Sequence, residues 1–206
     1  MKINTSAGKP ANKPKVQAFT LIEMIGVLAV IAILAALLIP KVFSAINDAR
    51  VNGVCITCNT IKTAVADHYG KYGKFDAVFG TNILTFAGNI LPGYDTNVLM
   101  AEGLLDKPFS AKIAGGDPST NCVLQLSKVG GNGGSGYSLD GSTNTTVGAS
   151  FVVEAVLYNV TRADARDLND RLDGPPLGVA TGADTKGRVE YGDADPTTVY
   201  IYITHR

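Results

Sequence analysis

From Phe19 to Ile39 the chain runs twenty-one residues with a single ionisable side chain, Glu23. At a rise of about 1.5 Å per residue this run makes a helix of roughly 32 Å, enough to cross the hydrocarbon core of a bilayer. The eighteen residues ahead of it carry Lys2, Lys9, Lys13 and Lys15 and no acid. A basic flank of that kind keeps the N-terminus cytoplasmic and places everything after Pro40 across the membrane. Within a span a carboxylate costs about 2.5–3.5 kcal/mol, so Glu23 requires a partner and marks a functional position.

The heptapeptide Ala18-Phe19-Thr20-Leu21-Ile22-Glu23-Met24, with its basic leader and apolar continuation, resembles the prepilin signal of type IV pilins and type II secretion pseudopilins. The resemblance implies that residues 1–18 are a leader removed by a prepilin peptidase between Ala18 and Phe19, and that the new N-terminus on Phe19 is methylated. Most members carry Gly before the cut, so Ala18 departs from the pattern while remaining small. The resemblance also gives Glu23 its partner: the freed amine of Phe19 in a neighbouring subunit, which turns the desolvation cost of the acid into a register signal during filament assembly. An ordinary secretory signal cut near Phe43-Ser44-Ala45 fits less well, because the apolar stretch is too long for a signal core and carries an acid near its start. A plain membrane anchor leaves Glu23 without a role.

Removing the leader deletes four positive charges from a chain balanced at 18 basic and 18 acidic residues. The remaining 14 basic and 18 acidic side chains give a formal charge of −4, which is not the surface of an electrostatic nucleic-acid binder. Beyond Pro40 the pattern continues as an amphipathic helix to residue 72. Val42, Ile46, Ala49, Val54, Cys58, Ile61, Val65, His68 and Tyr72 recur at helical spacing, and Asp48, Asn52, Lys62 and Asp67 lie opposite. Pro40 lacks an amide proton and predicts a kink, and Gly53 a second weak point. A proline also stands at the matching place in many pilins.

Residues 73–206 read as one globular head. Thr96 to Gly103 predicts a short helix capped by Gly103. The string LMAEGLLDKPF around it is similar to a segment of pseudopilins and some pilins. Cys122–Val129, Ser150–Tyr158, Gly187–Tyr191 and Thr198–Thr204 predict strands, with Gly130–Gly136 a loop between the first two. In the last strand Val199, Ile201 and Ile203 face one way, Tyr200 and Tyr202 the other. Thr161 and Asp164 predict a helix start, Ala165, Leu168 and Leu172 its apolar stripe, and Gly174 with Pro175-Pro176 its end. The expected fold is therefore α+β: a long N-terminal apolar helix packed on a small antiparallel sheet.

Three cysteines in an exported domain permit a disulfide. Cys58 lies on the helix stripe and Cys122 opens the first strand expected to pack on it. A Cys58–Cys122 bridge is therefore expected, with Cys55–Cys122 as the alternative. The Cys55-x-x-Cys58 pair sits inside a helix rather than at its start, so no depressed thiol pKa or redox role is expected. A zinc site fails for want of a second ligand pair near Cys122, His68 or His205. His68 reads as a core histidine and His205 as solvated. Calcium enters only through the resemblance, since major pseudopilins hold that ion near their C-terminus. The acids at hand are Asp164, Asp167, Asp170, Asp173, Asp184, Asp193 and Asp195, with Asp193 and Asp195 the candidates, and none follows an EF-hand. Otherwise no metal or cofactor is expected.

No nucleophile elbow or phosphate loop accompanies these features, so a membrane-anchored enzyme or binding module is the remote alternative. The resemblance implies a filament subunit, either of a type IV pilus or of the pseudopilus of type II secretion. Its partners are other pilins, the prepilin peptidase, and an assembly ATPase with its inner-membrane platform protein. The subunit waits in the inner membrane and then enters a periplasmic or extracellular filament.

Overall fold

A computed structural model describes residues 19–80, 89–117, 120–128, 130–132, 135–142, 151–175, 177 and 182–206. The leader with Ala18, part of the glycine-rich 130–148 stretch, Val129 and Pro176 lie outside the described residues. Helix α1 spans Leu21–Tyr72 and is helical through Pro40. Two compact units meet in the chain between Phe43 and Ser44. In the first, the side chains of the helical run are exposed, among them Leu21, Ile33 and Leu38.

In the second unit α1 becomes amphipathic in fact. Val51, Val54, Cys58, Ile61, Ala64, Val65 and His68 are buried, while Asp48, Asn52, Lys62 and Asp67 face outward. The buried stripe begins at Val51, so Val42, Ile46 and Ala49, expected on the same face, are exposed. Five strands form an antiparallel sheet: β1 (Ile90–Pro92), β2 (Cys122–Ser127), β3 (Val152–Val160), β4 (Val189–Tyr191) and β5 (Thr197–His205). Their spatial order is β1-β2-β3-β5-β4. The α+β architecture expected from the sequence is the one observed.

Alternation along the strands decides what each face meets. Leu124, Leu126, Val153, Ala155, Leu157, Val189, Tyr191, Val199, Ile201 and Ile203 join the buried α1 stripe in one core. Helix α2 (Arg162–Leu172) adds Ala165 and Leu168 to that core, starting where Thr161 accepts from the Asp164 amide. Arg171 ties α2 to α1: its guanidinium donates to Asp48 Oδ1 at 2.7 Å, to Asn52 Oδ1 at 2.5 Å and to Asp167 within its own helix.

Three expectations change. The segment after Gly93 is not an α-helix but a π-helical turn at Asp95–Leu99, closed by the Met100 amide donating to the Asp95 carbonyl at 2.7 Å. Asp95 is buried there and its carboxylate accepts from the Phe109 amide at 2.6 Å. Gly103, at φ 70°, still ends the winding: its amide reaches Met100 O and the Leu104 amide reaches Leu99 O, the paired bonds of a Schellman cap. Strand β1 was not foreseen, being three residues long and ending in Pro92, a proline tolerated there because β1 is an edge strand. Finally, Cys55, Cys58 and Cys122 are free thiols, so neither expected bridge is formed. Cys122 Sγ instead accepts from the Ala111 amide at 3.2 Å and donates to the Ala111 carbonyl.

Candidate functional site

The start of α1 is built by two side chains. Glu23 accepts at one carboxylate oxygen, Oε2, from both the Thr20 amide and the Thr20 hydroxyl, each at 2.8 Å. In return the Glu23 amide donates to Thr20 Oγ1 at 3.3 Å. This is a reciprocal capping box, Thr-x-x-Glu, which satisfies two of the amides that any helix start leaves without partners. The Thr-x-x-Glu spacing carries this pairing in the sequence itself, three residues apart. The isolated subunit thus supplies Glu23 with donors from its own backbone and hydroxyl. Phe19, Leu21, Ile22 and the apolar residues through Ile39 are all exposed.

A helix of this length and composition is apolar enough to cross a membrane, and none of its most apolar window is buried in the protein. Exposing this much aliphatic surface to water is unfavourable by about 25 cal/mol per Å2, so the segment requires lipid or other apolar helices around it.

Farther along, His68 is fully buried and its Nδ1 lies 2.7 Å from Glu102 Oε2. The other Glu102 oxygen accepts from the Phe79 amide at 2.8 Å. One carboxylate therefore joins α1, the 94–105 turn and the chain that leaves the helix. The core-histidine reading holds for Nδ1, while Nε2 has no hydrogen-bond partner among the described residues.

The outer face of the sheet carries polar groups that sequence reading did not single out. Gln125, Glu154 and Glu190 stand on β2, β3 and β4, each nearly inaccessible to solvent. Asn132, Tyr137 and Ser138 lie over them. The Asn132 amide and the Tyr137 hydroxyl both donate to Glu154 Oε2, at 2.6 Å each, and Gln125 Nε2 donates to Oε1 at 2.7 Å. The Asn132 side-chain amide donates to Glu190 Oε2, and the Ser138 amide to Oε1. Burial pushes the Glu190 carboxyl up to about 7, with Asp184, Asp173 and Glu154 adding repulsion against the Ser138 bond. The available signal was the period-2 alternation, which puts Glu154 and Glu190 on one face; their partners Asn132, Tyr137 and Ser138 follow no such period.

The expected calcium ligands are spread over several local structures. Asp193 pairs with Arg162 at 3.0 Å and Asp195 accepts from the Arg162 amide at 3.1 Å. Asp173 accepts from the Arg188 and Val189 amides, and Asp184 from the Asn169 side chain and the Lys186 amide. Among the described residues no three acidic, histidine or cysteine side chains gather around one point. The Cys58 thiol is pushed up to about 12, and burial raises Cys55 and Cys122 too, the reverse of an activated nucleophile.

No curated protein and no solved structure matches the chain. One family model does match, over residues 13–39: the prokaryotic N-terminal methylation motif. The matched stretch holds the last basic residues of the leader, the Ala18–Phe19 junction, the Thr20–Glu23 box and the apolar run to Ile39. That motif is the signature of the prepilin-type signal found in type IV pilins and pseudopilins.

Proposed function

We propose that the chain is a structural subunit of a type IV pilus or pilus-like filament, rather than an enzyme. In this reading a prepilin peptidase cuts between Ala18 and Phe19 and Phe19 is methylated. An assembly ATPase and its inner-membrane platform protein then draw the subunit from the inner membrane into the fibre. The observation that carries the reading is an uncovered apolar helix that starts just after Phe19 and Thr20 and holds Glu23 in its first turn, inside a methylation motif. Apolar stems pack together in the filament core, where helix–helix contacts replace lipid. Glu23 exchanges its Thr20 bonds for the Phe19 amine of a neighbour, and because a carboxylate unpaired in that core is costly, only the correct register is stable. Pro40 interrupts the hydrogen-bond ladder, giving the stem a point at which to bend or loosen during extraction.

A second reading, the pseudopilin of a type II secretion system acting in protein export, is supported by the 99–109 segment. Its Glu102 is bonded to the stem through His68. Deleting the chain in its host separates the two. Loss of surface filaments with normal export favours the pilus, and blocked export without surface filaments favours the pseudopilus. In either setting Glu23→Ala is expected to abolish incorporation while leaving membrane insertion and cleavage intact; a variant that incorporates normally would refute the pairing role.

A further inference from the structure

A groove of about 320 Å3 runs between α1 and the 110–112 segment, with Arg50, Gly53 and Thr57 on one side and Ser110 and Lys112 on the other. Arg50 and Lys112 are exposed, and neither forms a hydrogen bond or ion pair among the described residues. No acidic side chain lines the groove, so it holds two uncompensated positive charges. A glycine inside a helix is destabilising relative to alanine. A methyl group built at Gly53 would meet nothing within 4 Å, so packing inside the subunit does not demand a glycine there. Its missing side chain leaves the backbone of α1 open to approach from outside.

Helix α2 lies at the same level of the stem, on the other flank. Asn47 donates to Asp164, and Arg171 donates to Asp48 and Asn52, which sets α2 beside residues 47–52. Arg50 stands two residues from both Asp48 and Asn52, about 200° around the helix. The charge on the α2 flank has the opposite sign. Helix α2 is itself balanced, with three aspartates and three arginines. Asp48 bonds to Arg171, and Asp193 and Asp195 bond to Arg162, so these three acids leave the flank with an excess of three negative charges. Asp170 is exposed there and forms no hydrogen bond or ion pair among the described residues.

A basic groove and an acidic helix on opposite flanks of α1 do not meet within one chain. They meet between copies, in a heterologous contact where each copy offers its groove to one neighbour and its α2 to the next. Contacts of that kind repeat into rings or helical filaments, whereas a symmetric dimer sets the same patch against itself and here would oppose like charges. Resting on the filament reading above, we propose that the Arg50–Lys112 groove receives helix α2 of a second copy of this chain, with Asp170 as the acid opposite Lys112. Opposite charges steer the two heads together and fix their register. The contact belongs to the heads and acts separately from the pairing of Glu23 with Phe19.

The test uses fibres of the full chain recovered from its host and treated with a carbodiimide, which joins an amine to a carboxylate without a spacer. Mass spectrometry of the linked peptides should find Lys112 joined to Asp170, a link that forms only between copies because the two residues lie on opposite flanks of α1. Lys112→Arg should keep the fibres and lose the link, since a guanidinium does not couple. As the sole copy in the host, Lys112→Glu or Asp170→Lys should each lower the fraction of subunits in fibres about fivefold, the scale of a reversed interfacial charge. The thermal melt of each detergent-solubilised variant should match the wild type, which separates loss of the contact from loss of the fold. Both changes in one chain should restore assembly. Wild-type fibres in which Lys112 is linked to no aspartate of α2 overturn the proposal, as do single variants that assemble normally or a double variant no better than either. A wild-type chain that forms no fibres at all removes the filament reading itself, and this contact with it.

Discussion

Glu190 offers the sharpest physical test of the head. Its carboxyl is raised from an ordinary 4.5 to about 7, first by burial and then by Asp184, Asp173 and Glu154. A group whose pKa is higher in the folded than in the unfolded state binds more protons when folded. Its contribution is therefore complete below about pH 4.5, falls between the two values, and is gone once pH passes about 7. At about 1.36 kcal/mol per pH unit, the change across that window is about 2–3 kcal/mol. Glu190→Gln removes the titration while keeping the shape of the side chain. The stability difference between variant and wild type should then move in favour of the variant by about 2–3 kcal/mol from pH 4.5 to pH 8. For a domain of this size that is a relative shift in Tm of roughly 4–10 °C. Near-ultraviolet circular dichroism melts of the detergent-solubilised chain at pH 4.5, 5.5, 6.5, 7.5 and 8 would measure it. Two parallel Tm curves would refute the reasoning, because they would mean that Glu190 titrates alike in the folded and unfolded chain.

Other consequences concern the two ends of α1 and the cysteines. Thr20→Ala removes the capping box and should cost the first turn about 1 kcal/mol, read as faster amide exchange over residues 21–24 with exchange beyond residue 30 unchanged. Glu102→Ala strips His68 Nδ1 and the Phe79 amide of their partner in a buried setting, and an expected loss of about 3 kcal/mol would appear in urea unfolding. A melt within experimental scatter of the wild type would show that this carboxylate is not the tie described. Under iodoacetamide at pH 8 the half-buried Cys55 should react first, while Cys58 and Cys122 stay unmodified until the fold opens. Mass mapping that finds a Cys58–Cys122 bridge in the exported protein would contradict the free-thiol arrangement.

The parts of the fold that were legible in the sequence are those where one physical signal dominates. The apolar run after Phe19, the stripe from Val54 to His68, the alternation of Val199 to Ile203 and the Thr161 cap each lie where burial or capping leaves a fixed period. Strand β1 was illegible because two apolar residues before a proline carry no period. The π-helical turn at Asp95–Leu99 and an α-helix both place Val98 and Leu99 inward over so short a stretch, so the sequence pattern does not tell the two windings apart. At the N-terminus the acid was found by its cost in lipid, while its actual bond to Thr20 is a local one that the Thr-x-x-Glu spacing spells out. The polar cluster on the outer face is illegible for another reason. Its acids come from separate strands, and only the register of β3, β4 and β5 sets Glu154 and Glu190 side by side within reach of Asn132.

In the proposed reading the working protein begins at Phe19 and assembles through the apolar helix behind that residue. Intact-mass and N-terminal analysis of the chain recovered from cells that contain a prepilin peptidase tests this most directly. A single species starting at Phe19 and carrying one methyl group on its α-amine is the predicted result. A chain that retains residues 1–18, or one that starts near Ile46, would contradict it.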